Sequence, residues 1–178
     1  HTICSKQMEF IRRHPVLSSD RCISVEFSNT TSRLEWFRRA RTTEAFFSFM
    51  SSLIVRREKW LSGKLLEEFD GSCWGHVARL FDLSKNGLRV CYVAETWLDQ
   101  RGDNDSFSDK GLVNRYRIAI EGYNKLADRF FGHNSMEAFY IRQVIRNEFR
   151  LRTFLRAKHM CKNDPQRESL NLLNKLLA

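Results

Sequence analysis

Residues 75–98, GHVARLFDLSKNGLRVCYVAETWL, decide the fold class. The first part, GHVARLFDLSKNG, reads as a helix stopped by Gly87, because glycine accepts the left-handed backbone that ends helices. The second part, LRVCYVAETWL, is rich in β-branched and aromatic residues and is the best strand in the chain. A helix that runs straight into a strand makes this portion α/β.

Upstream, residues 62–71 form a loop of glycine and acidic residues. Before it, FFSFMSSLIVRREKW (46–60) alternates small with large apolar residues, which predicts a buried strand ending at Arg56 and Arg57. SRLEWFRRAR (32–41) predicts a short helix capped by Ser32. Residues 5–10 and 22–27 read as short extended or helical pieces around the His14-Pro15 turn. Downstream, the polar loop RGDNDSFSDKG (101–111) leads into helices. Leu112, Tyr116, Ala119, Tyr123, Leu126 and Phe130 recur at helical spacing up to Gly132. Ser135 caps a second helix running to about His159, and Asp164-Pro165 opens a last one. The division that follows is an α/β portion over 1–110 and a helical extension over 111–178.

Composition bounds the function. Apolar residues make up 42% and aromatics 12%, with fourteen Phe, which is ample for a core and excludes disorder as the main state. No apolar run approaches the roughly 20 residues that span a bilayer. The first ten residues lack the apolar centre of a signal peptide, and the start at His1 reads as cut from a longer chain. Five cysteines without a C-x-x-C pair argue against a disulfide framework or zinc site and predict reduced, mostly buried thiols in a cytosolic compartment. A net charge of +9 points to nucleic acid, an anionic membrane face or phosphorylated small molecules.

The order of motifs narrows this. Arg56-Arg57-x-x-Trp60, the acidic loop, G-x-x-W-G-H (71–76), Y-V-A-E (92–95) and R-G-D-N-D-S-F (101–107) together resemble the family 2 glycosyltransferases of the GT-A fold. The likeness is greatest to the O-antigen branch with its abequosyltransferase-like enzymes. It implies the C-terminal, acceptor-side part of a GT-A domain followed by a helical extension. It also implies a nucleotide-binding half upstream, ending in an Asp-x-Asp motif that holds the donor diphosphate with Mg or Mn. No ligand motif of that kind is identified here: Asp103-Asn104-Asp105 has the letters but follows the second-half strand, and a solvated turn is its simpler reading.

In that family the helix after the acidic loop begins Glu-Asp, whose Asp is the base toward the acceptor hydroxyl. Gly75-His76 occupies those positions, so the resemblance makes His76 the candidate base, with an acceptor-binding or structural His as the alternatives. Arg101, Asn104 and Ser106 suit contacts to the donor diphosphate, since a guanidinium fork and a Gly-containing backbone bind phosphate oxygens. The plainer reading is a turn leading into the helix, with Asp109 as cap. Arg56 and Arg57 lie where the family carries a basic pair near the acceptor cleft. Trp60 and Trp74 offer rings for sugar stacking, or else belong to the core.

Residues 135–162 carry seven cations against two acids. Arg142, Arg146 and Arg150 recur every four residues, one stripe of a helix that can face an anionic leaflet or simply solvent. The expected function is sugar transfer from a nucleotide sugar to a lipid-linked oligosaccharide in surface polysaccharide synthesis. The expected place is the cytoplasmic side, peripheral on the inner face of the membrane, with no nucleic-acid partner. The competing reading is a basic nucleic-acid-binding or helical interaction module without catalysis.

Overall fold

The computed structural model describes residues 2–4, 10–13, 15–19, 21–101, 111–160 and 168–177. Two small sheets accompany seven helices among these residues. β1 (Thr2–Cys4) lies between antiparallel β2 (Phe10–Arg13) and parallel β5 (Asp99–Arg101). β3 (Ile23–Glu26) pairs antiparallel with β4 (Arg89–Tyr92), from Ile23 opposite Tyr92 to Glu26 opposite Arg89. The helices are α1 (Thr30–Arg39), α2 (Arg57–Ser62), α3 (Gly75–Leu83), α4 (Leu112–Phe131), α5 (Met136–Glu148), α6 (Leu151–Met160) and α7 (Glu168–Leu177).

Gly132 ends α4 as expected, with φ of 86°, whereas α3 ends at Leu83 with Ser84 as its C-cap, and Gly87 (φ 75°) closes the turn that leads on to β4. Ser135 caps α5, its hydroxyl accepting from Ala138 N at 3.0 Å. α1 is capped by Asn29 and not by Ser32. The Asn29 side chain accepts from Ser32 N at 2.9 Å, so the cap lies three residues earlier than the sequence predicts. The expected single helix after Ser135 is two. α5 stops at Phe149, whose ring packs edge-on against Tyr116 with centroids 5.1 Å apart, and α6 restarts from the Arg150 carbonyl. Asp164-Pro165 lies outside the described residues.

The larger correction is residues 46–60. No strand forms there. The chain makes a 3-10 turn over Thr43–Phe46, a left-handed turn at Phe47, a second 3-10 turn over Met50–Ser52, and then α2. Phe46 and Phe47 enter the core while Ile54 is 91% exposed. Among the described cysteines the burial expectation also fails: Cys22 and Cys91 are exposed and Cys73 is half-buried.

An aromatic cluster organises the core. Phe37 of α1 contacts Phe27, Phe46, Phe81 and Phe131, with centroids 5.0 to 6.2 Å apart. The C-terminal half of α4 and α5 share this core, so helices from beyond residue 110 bury the same aromatics as the earlier elements. A buried ion pair fastens α1 to α5: Arg33 Nη2 donates to Glu137 Oε1 at 2.8 Å and Nη1 donates to the Phe27 carbonyl. A smaller cluster of Val113, Tyr116, Phe154, Ala157 and Leu173 joins the start of α4 to α6 and α7.

Candidate functional site: a cleft at the start of helix α3

The turn at Phe47 builds the site. A non-glycine residue with φ of 67° is strained by about 1–2 kcal/mol, and burial of the ring beside Phe27 and Phe81 holds it there. This turn brings the Phe47 carbonyl to 2.9 Å from Nε2 of His76, the second residue of α3. A carbonyl only accepts, so Nε2 carries the proton of the neutral ring and Nδ1 keeps the lone pair. Burial lowers the His76 pKa below its ordinary 6.5, while the Phe47 and Ser48 carbonyls oppose part of that shift. The ring is therefore neutral at physiological pH, the form in which it can accept a proton.

His76 opens onto a cleft of about 320 Å³ lined also by Met50, Leu53, Val55, Arg57 and Trp60. Arg57 is the first residue of α2 and is exposed, and Trp60 lies one turn later. The Arg79 guanidinium stacks over the Trp60 ring at 4.6 Å and donates from Nε and Nη2 to the Gly63 carbonyl. Gly63 is required at this crossing. A Cβ there would lie 2.8 Å from Arg79 Cγ and 3.1 Å from Leu83 Cγ, so glycine lets α2 approach α3 and fixes Trp60 beside His76.

Three of the residues singled out in the sequence thus share one cleft: Arg57, Trp60 and His76. Trp74 is elsewhere. Its indole Nε1 donates to the Ile118 carbonyl at 2.9 Å, its ring sits 4.8 Å from that of Tyr123, and it covers Gly122, where a Cβ would meet Nε1 at 2.0 Å. Trp74 holds α3 to α4. Arg56 is exposed at the N-cap of α2 and does not line the cleft. The backbone of Arg101 ends β5, while its side chain, Asn104 and Ser106 lie outside the described residues. Met50, Leu53 and Val55 were missed as wall residues. Their only signal was proximity to Arg57, masked by the strand-like alternation.

The arginine stripe is partly engaged. Arg142 forms an ion pair with Asp128 and donates to the His133 carbonyl at 2.7 Å. Arg146 Nε donates to the Arg142 carbonyl and Arg150 Nε to that of Asn147. No described helix is long and apolar enough to cross a membrane. Among the described residues no group of three or more His, Cys, Asp or Glu side chains is placed to hold a metal ion.

A neutral imidazole and a guanidinium in an apolar-walled cleft suit proton acceptance from a hydroxyl beside an anionic group. In sequence, the chain is similar to a glycosyltransferase. That relative is the abequosyltransferase RfbV of Salmonella typhimurium (strain LT2), 32% identical over 109 residues that make up 61% of this chain and 33% of that protein. The chain spans about a third of that relative's length. No family model matches it, and no solved structure matches it.

Proposed function

We propose that this chain is the acceptor-side part of a GT-A-type glycosyltransferase that moves a sugar from a nucleotide-sugar donor to a lipid-linked oligosaccharide in O-antigen-type surface polysaccharide synthesis. The observation that carries the reading is the convergence of His76, Arg57 and Trp60 on one cleft, in a chain similar to an abequosyltransferase. His76 Nδ1 accepts the proton of the acceptor hydroxyl as that oxygen attacks the sugar anomeric carbon, while the nucleotide diphosphate leaves. Burial favours this role by keeping the ring neutral. Trp60 supplies the flat apolar surface that a pyranose face packs against, and Arg57 binds an anionic group of the acceptor.

Arg101, Asn104 and Ser106 remain the proposed contacts to the donor diphosphate. A divalent metal belongs to the reading through the family resemblance. The described residues offer no ligand set for it, and no step here runs through one.

The test is a transfer assay on the full-length protein with CDP-, GDP-, UDP- and dTDP-sugars and a lipid-linked oligosaccharide. The expected result is nucleotide release that depends on acceptor, with one nucleotide sugar strongly preferred. Absence of transfer from every donor, with the protein folded, would contradict the proposal.

A further inference from the structure

The residues that build the cleft also leave an unusual surface beside it. Ile54 is 91% exposed, Leu61 63% and Leu65 76%, and all three lie within the short run that supplies Leu53, Val55, Arg57 and Trp60 to the cleft. Leu61 follows Arg57 by one helical turn, so it stands on the side of α2 that borders the opening. Water-exposed aliphatic side chains at this density are uncommon away from an interaction surface.

The charges around them indicate what covers them. Arg56, Arg57, Lys59 and Lys64 are exposed in the same run with the one acid Glu58, ahead of an acidic turn of Glu67, Glu68 and Asp70 in which Glu68 pairs with Arg129. Among the described residues none of these four cations forms an ion pair, unlike Arg142 with Asp128 or Arg129 with Glu68. Exposed apolar tips interspersed with unpaired cations match an anionic lipid surface, where the tips enter the acyl boundary and the cations meet headgroups. A protein partner would more often meet a surface with aromatic anchors and few lysines.

We infer that residues 54–65 form a lipid-docking lip that seats the mouth of the cleft on an anionic bilayer. The inference rests on exposure and charge and goes beyond the transfer reading, which can fail without it. It assigns bilayer contact to the lip and leaves the α5 arginines with their contacts within the chain.

The test is co-sedimentation of the full-length protein with vesicles of phosphatidylcholine alone and of equimolar phosphatidylcholine and phosphatidylglycerol. Binding is expected to the anionic vesicles only. Ile54→Ser, Leu61→Ser and Leu65→Ser together should weaken it by about tenfold or more at unchanged Tm, because apolar burial in the boundary is lost. Lys59→Gln with Lys64→Gln should also weaken it, by about fivefold per cation. Arg146→Glu with Arg150→Glu should leave it nearly intact. Full binding by the lip variant, or its loss in the Arg146/Arg150 variant at normal Tm, would overturn the inference. So would a wild-type protein that ignores anionic vesicles but forms dimers that the lip variant dissolves.

Discussion

Residues 45–47 and residues 50–65 both carry large apolar side chains, yet the chain uses them in opposite ways. Ala45, Phe46 and Phe47 are buried among Phe27, Phe37, Phe81 and Tyr123. A few residues later Ile54, Leu61 and Leu65 point outward, and Met50, Leu53, Val55 and Trp60 line a cleft. The divide is the left-handed turn at Phe47, which hands one side of the chain to the core and the other to the site. Apolar content alone does not set burial. What sets it is how much rigid surface stands ready to be packed against: the first stretch is enclosed by the aromatic core, while the second meets α3 on one side only, through Trp60 and Gly63, and leaves Ile54, Leu61 and Leu65 to solvent.

The contrast can be pressed with single substitutions. Phe46→Ala removes a fully buried ring that touches Phe37 and Tyr123, and should cost about 3–5 kcal/mol in a denaturant melt. A cost below about 1 kcal/mol would mean that the aromatic cluster does not organise the fold. A middle-sized effect belongs to His76, which joins the two stretches. Its folded pKa is lowered, so as pH falls the unfolded chain takes up the proton first. The stability held by the neutral ring is full above about pH 6.5 and is lost as pH falls through the folded pKa. The Tm of the wild type should therefore fall more steeply than that of His76→Asn on acidification below this range, and parallel curves would refute the burial of a neutral imidazole. The smallest effect is expected at Ile54→Ser, which should stay within about 0.5 kcal/mol of wild type because the residue is 91% exposed. A large loss there would place Ile54 in the core.

Much of this was legible beforehand. The α3 and α4 segments followed from apolar periodicity, and of the strand read over 88–98 only Arg89–Tyr92 forms, as β4. The strand predicted over 46–56 failed because alternation of serine with large apolar residues cannot distinguish a pleated strand from a loop that turns over at one left-handed residue. The α5–α6 break was invisible because it depends on Phe149 packing against Tyr116, a contact far apart in sequence. At the site, His76, Arg57 and Trp60 were legible as motif residues. For Trp74 the sequence left sugar stacking and the core open, and only the fold reveals that Gly122 leaves a flat seat for its indole between α3 and α4. The apolar cleft wall was hidden by the same misread strand.

The central claim is that His76 takes a proton from the acceptor at the cleft. The most direct measurement is steady-state transfer by the full-length protein carrying His76→Ala, with Tm followed alongside. The account predicts a fall in kcat of about 10²–10⁴ with little change in acceptor KM, as expected for a lost general base. Wild-type kcat at unchanged Tm would contradict it.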